Sequence, residues 1–341
     1  MRDFVYQYKG LLRESRSREA LYRFSSDPSY DVRCLDYVTG KLTLEVVCVY
    51  MFNLHGLETT GVTVATLLAF IMTVKHGYRN VPFQNEMHAL QCLHSIHHMV
   101  HSVRASTDGT SYITAIQTLF LLMAGVCHGL DGGMASSQVA GNCQSLVCGC
   151  MHRSHALQSH AAGVALIAAK ETGFLDNLPM RSVHVFRSLV RSTDASCVLP
   201  LVTEIQAFRK WMESLTEKNR KLALQVARKE VEEVLPTMLI VTNSVLGTEQ
   251  YMLMRGILVL ACTGSIGKTG FRERWKDEQR IHRVTEMGAL GISRQWIGRE
   301  EERANAFHTC HRALLDQMRG LSAMMKLTFL TSLLERLRGE D

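Results

Sequence analysis

The residues most able to do chemistry lie in a histidine-rich stretch, residues 77–101, which reads GYRNVPFQNEMHALQCLHSIHHMVH. A loop that contains Pro82 leads into apolar positions at spacings of three and four, which predict a helix; they are Leu90, Leu93, Ile96 and Val100. His88 falls on the first turn of this helix. Because imidazole binds transition metals and exchanges a proton near neutral pH, His88 is a candidate for either role.

Two other groups of metal-ligating residue types stand close together in the chain. One is a set of histidines at helical spacings after His88, which could share a metal ion or be partly exposed polar groups: His94, His97, His98 and His101. The other is a set of soft ligands, Cys143, Cys148, Cys150 and His152. Its spacing matches no common zinc ribbon or finger, so buried free thiols in a helical core are the preferred interpretation.

One motif is a false lead. The segment GSIGKTG, residues 264–270, looks like a phosphate-binding Walker loop, but that pattern requires glycine where this chain has Cys262. The preceding run, residues 251–262, also fits a helix better than the strand that such a loop follows. A nucleotide-triphosphate site is therefore not predicted.

Composition favours one compact protein with an ordinary surface. The chain has 341 residues, of which 46% are hydrophobic and 21% charged, and it has only five prolines. It can therefore bury a full core, and it shows no flexible linker. The net charge of +6 comes from lysines and arginines scattered among acids, which argues against a nucleic-acid partner.

Cysteine usage and apolar segments indicate an intracellular protein. Ten cysteines lack regular spacing, and residues 1–10 are charged where a signal peptide would be apolar. These features predict free thiols in a reducing compartment. The longest apolar stretches, residues 61–74 and 119–127, are shorter than the roughly 20 residues of a membrane span, so we expect buried helices and no span.

The N-terminal part divides into a polar segment and the start of a helical body. Residues 1–41 are predicted to be a polar arm or helix, exposed or lying on a partner, because residues 1–26 are rich in arginine, serine and glutamate. Thr59 or Thr60 is expected to cap a helix over residues 62–74.

Three later segments also have helical patterns. Residues 119–133 predict a buried helix that ends at a glycine-rich turn. Residues 205–234 predict an amphipathic helix or helical pair that covers the core, with a partner-binding face as the alternative. A last helix is expected over residues 321–338.

The segment Phe83–Ala89 resembles the signature of the cyclic nucleotide phosphodiesterases, in which tyrosine or phenylalanine is followed by HNxxHA. Tyr78 matches the family frame upstream, and Gln84 stands where the family has its general-acid histidine. His88 matches a metal-binding histidine. The resemblance implies an all-α, compact multi-helical phosphodiesterase catalytic-domain fold over residues 42–341.

Two further landmarks of the family are present in altered form. Where the family has HDxDH after a buried helix, His128 and Asp131 remain, but the metal-binding aspartate is Gly129. Where the family has CADLS, the aspartate that is the fourth metal ligand corresponds to Thr263. Matches at positions without a catalytic role favour common ancestry; they include Leu157, His160, Ser192, Thr193, Asp194, Ser265, Lys268, Glu286 and Gly291.

The family reads the purine base from its last helix, where a phenylalanine stacks on the ring and a glutamine binds its edge. The corresponding residues are Phe329 and Lys326. An ammonium group only donates hydrogen bonds, whereas a carboxamide both donates and accepts, so the base-reading contact is expected to be lost or changed. The two residues are expected to be the remnant of a nucleotide pocket.

The resemblance thus implies a centre that has lost its chemistry. Active relatives hold zinc and magnesium with two histidines and two aspartates, and only His88 and His128 remain, so no metal cofactor is expected. Gln84 cannot act as a general acid. We expect a pseudoenzyme that serves as a structural or interaction subunit of a larger assembly. Its partners would be other proteins, among them an active phosphodiesterase or cytoskeletal proteins.

Two alternatives remain open. A residual, metal-dependent 3',5'-cyclic-nucleotide phosphodiesterase would need metal at His88 and His128 with ligands from elsewhere. A non-hydrolysing cyclic nucleotide sensor would keep the base pocket, for which Phe329 is favourable and Lys326 ambiguous; a small-molecule ligand is otherwise not favoured. The expected location is intracellular, either cytoplasmic or in the cytoskeleton or flagellum.

Overall fold

All regular structure in the described part of the chain is helical. The structure, a computed structural model, describes residues 8, 10, 11, 13–78, 85–106, 112–130, 156–178, 180–194, 197–216, 249–263 and 310–339. Its helices confirm the predicted all-α fold class. Within these residues, no helix combines the length and the apolar character that crossing a bilayer would require.

The helices are joined by short turns and by 3-10 segments at Gly40–Leu42 and Leu57–Thr60. We number the principal α-helices in chain order. They are α1 Ser15–Ser26, α2 Arg33–Thr39, α3 Thr43–Leu54, α4 Val64–His76, α5 Glu86–Ala105, α6 Ala115–Cys127, α7 Ala156–Glu171, α8 Met180–Ser192, α9 Val198–Ser214, α10 Glu249–Cys262, α11 over residues 310–324 and α12 Thr328–Gly339.

Helix α1 is part of the body of the molecule. Its apolar face, formed by Ala20, Leu21 and Phe24, is buried in the same hydrophobic cluster as the helices that follow. The expectation of an exposed or partner-bound arm does not describe this helix, because its apolar side chains, together with Ser17, form a buried face. The domain boundary between residues 41 and 42 stays a prediction.

Helix α4 begins later than the sequence predicts. Its N-cap is Thr63, whose Oγ1 accepts a hydrogen bond from the Thr66 N–H at 3.1 Å, while Thr66 Oγ1 accepts one from the Thr63 N–H at 3.0 Å. Thr59 and Thr60 lie instead in the 3-10 segment before Gly61. The expected cap is therefore wrong, because the reciprocal pair of threonines satisfies two backbone donors at once.

Helix α5 runs through the centre of the molecule and packs against α1, α3, α6, α10 and α12. The apolar positions that predicted it are all buried: Leu90, Leu93, Ile96 and Val100. Gly125 lets α6 approach closely, because a Cβ at that position would lie only 2.5 Å from Ile96 Cδ1. Side chains at the start of α5 and at the end of α6 can therefore meet.

Helix α9 is a surface helix, as the sequence predicts. It covers the core through Leu201, Ile205 and Met212, while Trp211 is 45% exposed. The remainder of the predicted segment, residues 217–234, lies outside the described residues.

The C-terminal region departs from the expected single helix. The chain turns at residues 325–327, between α11 and α12, and Lys326 has a φ of 59° there. A positive φ ends an α-helix, so the expected helix over residues 321–338 is two helices. By contrast, helix α10 confirms the helical interpretation of residues 251–262.

Candidate metal centre

His88 lies on the first turn of α5, as the sequence predicts. The N-cap residue is Asn85, whose Oδ1 accepts a hydrogen bond from the His88 N–H at 3.0 Å. Glu86 ties the same turn to α4 through a 3.0 Å ion pair with Lys75, which also pairs with Glu45 of α3 at 2.9 Å. The start of α5 is therefore anchored to two helices, and the His88 side chain is buried.

His128 lies at the C-terminal end of α6. Its Nδ1 donates a hydrogen bond to the Gly125 carbonyl oxygen at 2.8 Å, which leaves the lone pair of a neutral ring on Nε2. That Nε2 is buried and has no hydrogen-bond partner among the described residues. The ring lies edge-on to His88, with 5.0 Å between the ring centroids. The structure thus brings together the two histidines that the resemblance singles out.

A cysteine that the sequence analysis missed belongs to the same group. Cys92 lies one turn after His88 on the same face of α5, and its Sγ is 3.8 Å from His88 Nε2. One ligand atom each from His88, Cys92 and His128 lies within 4.8 Å of the other two. The spacing His-x-x-x-Cys on a predicted helix was a usable signal, because residues four apart share a helix face.

Helix α10 adds a second sulfur. The Cys262 thiol contacts Cys92 Sγ, and the Cys92 thiol donates a hydrogen bond to the Ala261 carbonyl oxygen at 3.6 Å. The Cys262 carbonyl oxygen accepts a hydrogen bond from the His88 ring. The consecutive helices α5 and α6 and the distant helix α10 therefore converge here. We call the four residues, His88, Cys92, His128 and Cys262, the His–Cys cluster.

Burial and hydrogen bonding distribute the protons within the His–Cys cluster. Burial raises the pKa of Cys92, but the hydrogen bond from Cys262 and the charges of His88 and His128 outweigh it and hold the pKa well below its usual value. Burial raises the pKa of Cys262, and the bond to Cys92 raises it further. Burial lowers the pKa of His88, yet the nearby Cys92 and the Cys262 carbonyl leave it raised overall. Burial also lowers the pKa of His128. The bonds and charges among these groups therefore shift the pKa of Cys92 downward and that of Cys262 upward.

The two positions at which the resemblance predicts lost aspartates carry no carboxylate. Gly129 is buried directly after the end of α6. Thr263 follows α10, and its Oγ1 donates to the Val259 carbonyl oxygen at 2.9 Å and lies 3.0 Å from His311 Nδ1. The threonine hydroxyl is therefore engaged with its own helix and with α11.

Several residues named in the sequence analysis lie outside the described part of the chain. They include the expected general-acid position and residues of the resembled motifs: Gln84, Asp131, Ser265, Lys268, Glu286 and Gly291. The second set of soft ligands is also there: Cys143, Cys148, Cys150 and His152. The roles expected of these residues stay predictions.

The zinc and magnesium ions of active family members require other donors. Magnesium prefers oxygen ligands, and a hydrolytic two-metal centre uses its ligands to hold two ions about 3.5 to 4 Å apart. Among the described residues, the ligand atoms gathered at this site are two imidazole nitrogens and the Cys92 sulfur, with the Cys262 thiol next to Cys92. They do not fit a two-metal hydrolytic centre. They fit a single ion that accepts nitrogen and sulfur ligands.

The histidines farther along α5 have a different environment. His94, His97 and His98 are buried, so the prediction of partly exposed rings is wrong for these three. Their Nε2 atoms lie 2.9 to 3.2 Å from carbonyl oxygens at the C-terminal end of α1, which belong to Phe24, Ser25 and Asp27. A helix leaves its last carbonyls without partners of its own, so these rings cap α1.

A directional chain of hydrogen bonds fixes the neutral form of His97 and of His55, which lies at the C-terminal end of α3. Arg104 Nη1 donates to His55 Nδ1 at 3.1 Å. His55 Nε2 then donates to His97 Nδ1 at 3.0 Å, and His97 Nε2 donates to the Ser25 carbonyl oxygen at 2.9 Å. Burial and the charges of His97 and Arg104 lower the pKa of His55 to about 3. Burial lowers the pKa of His97 to about 4.

The two residues expected to form a nucleotide pocket lie elsewhere. Lys326 and Phe329 are exposed at the turn between α11 and α12. The Phe329 N–H donates to Ser106 Oγ at 3.0 Å, beyond the C-terminal end of α5. At roughly 1.5 Å per residue, Ser106 is about 27 Å from His88 along the helix axis. The structure therefore does not bring this pair together with the His–Cys cluster.

Comparisons with known sequences agree with the resemblance. A family profile described as 3'5'-cyclic nucleotide phosphodiesterase matches residues 83–258. The probable 3',5'-cyclic-AMP phosphodiesterase pde-4 of Caenorhabditis elegans is 25% identical over 183 residues, which are 52% of this chain and 27% of that protein. The match therefore spans about a quarter of the length of this curated relative.

Solved structures are similar in fold over nearly the whole chain. The phosphodiesterase domain of the RhoPDE fusion protein from the choanoflagellate Salpingoeca rosetta superposes with a TM-score of 0.63 at 15% identity, covering 97% of this chain and 98% of that one. A second structure of the Salpingoeca rosetta rhodopsin phosphodiesterase domain gives a TM-score of 0.65 at 17% identity, covering 98% and 93%.

Proposed function

Because this chain belongs to the 3'5'-cyclic nucleotide phosphodiesterase family, we propose that it is a pseudoenzyme of that family. It keeps the helical fold, does not hydrolyse cyclic nucleotides, and serves as a structural or interaction subunit of a larger assembly. The observation that carries this proposal is the donor set at the His–Cys cluster, which contains no carboxylate among the described residues.

Carboxylates matter to the family's reaction because of their charge. A two-metal centre activates a bound water and stabilises the attacking and leaving oxygens of an in-line displacement, and anionic ligands offset the charge of the two cations. The family positions for these ligands are Gly129, which has no side chain, and Thr263, whose hydroxyl is bonded to the Val259 carbonyl. A second metal would find no anionic oxygen at either position.

The proton donor of the reaction is also replaced. A general acid contributes a factor of about 10² to 10⁴ in rate, and the carboxamide of Gln84 cannot supply a proton to the leaving oxygen. The loss of this acid and the loss of the metal ligands affect different steps. A single compensating residue would therefore not restore turnover.

The scaffold role is supported by what the chain keeps. The core around α5 is fully packed, and Gly125 preserves the close contact of α5 with α6. Helix α9 presents Leu199 and Trp211 at the surface, with exposures of 58% and 45%. These exposed residues are our candidates for contact with a partner protein, such as an active phosphodiesterase or a cytoskeletal protein, in the cytoplasm, the cytoskeleton or a flagellum.

Residual hydrolysis is the second candidate function. It is favoured by the juxtaposition of His88 and His128, whose ring centroids are 5.0 Å apart, and by the similarity to a probable cyclic-AMP phosphodiesterase. It would require oxygen ligands from residues outside the described part of the chain. A nucleotide sensor has no comparable support, because Phe329 and Lys326 lie at the other end of α5.

A turnover assay separates the two candidates. The purified full chain is incubated with cyclic AMP or cyclic GMP and with zinc, magnesium or manganese, beside the catalytic domain of an active relative. We expect product formation at the level of the no-protein control. Turnover that exceeds this control and disappears in His128→Ala would overturn the pseudoenzyme proposal in favour of residual hydrolysis.

Recovery of partners tests the scaffold role. The native protein is purified by affinity together with its bound proteins, and the same is done for the double variant Leu199→Ala/Trp211→Ala. The matched control is Ile167→Ala, which changes another exposed apolar residue, on α7. We expect specific partners that the double variant loses and the control keeps. Recovery of no specific protein, or equal recovery in all three, contradicts a partner-binding role for α9.

A further inference from the structure

We propose that the His–Cys cluster binds one zinc ion through two nitrogens and two sulfurs, as a structural centre that joins α5, α6 and α10. Three ligands are His88, Cys92 and His128, whose ligand atoms already lie together, and the fourth is Cys262, whose thiol contacts Cys92. This site differs in kind from a hydrolytic centre, because its cysteines are absent from the family's ligand set and its carboxylates are missing. The inference does not depend on whether the protein has a catalytic function.

The spacing of the ligand atoms matches a zinc tetrahedron. With zinc–nitrogen and zinc–sulfur distances of about 2.0 and 2.3 Å, a nitrogen and a sulfur on one tetrahedral ion are about 3.6 Å apart. His88 Nε2 and Cys92 Sγ are 3.8 Å apart. The ligand atom of His128 falls within 4.8 Å of both. Only small side-chain rotations would bring the three atoms onto one ion.

The orientation of His128 is an independent sign of a ligand site. Its Nε2 is buried without a hydrogen-bond partner among the described residues, which is costly for a polar atom. The opposite nitrogen donates to the Gly125 carbonyl oxygen at 2.8 Å. Histidines that bind metals are held in this way, with one nitrogen on a backbone carbonyl and the lone pair of the other on the ion.

The His88 ring is held by a similar contact. It donates a hydrogen bond to the Cys262 carbonyl oxygen and directs Nε2 toward Cys92. The carbonyl comes from the same residue whose thiol supplies the second sulfur. Both imidazoles are therefore oriented before any ion arrives, and both are supported by backbone carbonyls rather than by carboxylates.

The chemistry and enclosure of the site select the ion and its role. Thiolates and imidazoles favour zinc over magnesium, calcium or manganese. Four protein ligands would leave no coordination position for water, which is the pattern of structural rather than catalytic zinc. All four residues are buried. The ion would therefore cross-link three helices that meet at the start of α5.

Cobalt substitution tests the ligand set directly. The full chain is kept under reductant, stripped with a chelator and titrated with cobalt(II), which gives a sulfur-to-cobalt charge-transfer band when thiolates bind; zinc affinity is then measured by competition. We expect one ion per chain and a charge-transfer band. Cys92→Ser removes one of the two thiolates, so it should lower that band by about half and weaken zinc binding by at least about 100-fold, since even supporting residues are worth about 10- to 100-fold.

Matched variants keep the test decisive. Cys48→Ala changes a buried cysteine outside the cluster and should leave binding unchanged. His128→Gln and Cys262→Ser, with folding checked by circular dichroism, serve if Cys92→Ser fails to fold. Failure to bind zinc or cobalt, or equal affinity in these variants and the wild type, overturns the inference. Because the readout is spectroscopic, that failure leaves the pseudoenzyme proposal standing, and turnover in the separate assay would not by itself refute the ligand set.

Discussion

Helix α5 holds two groups of buried histidines whose surroundings differ. In the middle of the helix, His94, His97 and His98 have their Nε2 atoms on carbonyl oxygens of α1, within 2.9 to 3.2 Å. At the start of the helix, His88 faces Cys92, and the neighbouring His128 keeps a buried nitrogen without a hydrogen bond. Residue type and burial are the same, and only the partners differ.

The difference separates histidines that stabilise a fold from histidines that can hold an ion. A ring whose nitrogens both have hydrogen-bond partners, such as His97 between Ser25 and His55, has no lone pair to offer. A ring that donates one N–H to a carbonyl oxygen and keeps its other nitrogen buried without a partner does offer a lone pair. His128 is such a ring. The hydrogen-bond partners of each nitrogen are therefore more informative than the number of histidines in a stretch.

The largest expected effect is the loss of stability in mild acid, which comes from two rings of the middle group, His97 and His98, and from His55 at the end of α3, which hydrogen-bonds to His97. An unfolded histidine has a pKa near 6.5, whereas the pKa values of His55, His97 and His98 are about 3, 4 and 2 in the folded protein. Below pH 6.5 and down to about pH 4, the unfolded chain binds protons that the folded chain does not. The free energy of unfolding should therefore fall with pH, by about 4 kcal/mol per pH unit for three rings.

Denaturant unfolding at several values between pH 7.5 and pH 5 measures this slope. Replacing one ring should reduce it in proportion, so His98→Gln is expected to lower the slope by about 1.4 kcal/mol per pH unit. An unchanged slope in this variant, or a wild-type stability that is flat across the interval, would show that these rings are not held neutral.

The next largest effect is the stability lost when one histidine of each group is replaced in the metal-free protein. His97→Ala removes the hydrogen-bond partners of the Ser25 carbonyl and of His55, and leaving two buried groups unsatisfied should cost about 3 kcal/mol of stability. His128→Ala removes one partner, the donor to Gly125, and should cost about 1 kcal/mol from that bond. Because both variants delete the same imidazole, the cavity contribution is similar in each.

Chemical denaturation in the presence of a chelator gives both values. Added zinc should then widen the gap between wild type and His128→Ala without changing the gap for His97→Ala. Equal losses of unfolding free energy in the two variants, with and without zinc, would contradict the different roles of the two histidine groups.

The smallest expected loss of stability concerns the close contact between α6 and α5 at Gly125 and Ile96. Gly125→Ala places a Cβ 2.5 Å from Ile96 Cδ1. Overpacking costs about 1 to 3 kcal/mol and the helix preference of alanine returns up to about 1 kcal/mol, so the net loss should be about 1 kcal/mol. Ile96→Val removes the clashing Cδ1. A double-mutant cycle of Gly125→Ala and Ile96→Val, measured by the free energy of unfolding, should show a favourable coupling of about 1 kcal/mol. Strictly additive losses would mean that α6 does not approach α5 this closely.

The sequence predicted much of the fold because its signals are local. The spacing of Leu90, Leu93, Ile96 and Val100 fixed α5 and placed His88 on its first turn. The N-cap of α4 was misplaced because several threonines precede that helix, and the reciprocal Thr63–Thr66 bonds decide between them. The helix break at Lys326 could not be predicted, because no glycine or proline lies in the turn.

The site was predicted only in part because its members come together through packing. His88 and His128 were found from family motifs, whereas Cys92 and Cys262 occupy positions that the motifs leave aside. The burial of the middle histidines depends on where the end of α1 lies, and no local pattern in α5 specifies the partner of its polar face.

The most direct test of this account is X-ray absorption spectroscopy at the zinc edge of the purified, zinc-loaded full chain. We predict a single zinc ion with nitrogen ligands at about 2.0 to 2.1 Å and sulfur ligands at about 2.3 Å. A first shell of oxygen and nitrogen alone, with a second metal at about 3.5 to 4 Å, would contradict the account and restore a hydrolytic centre. A chain that retains no zinc would contradict the structural metal site.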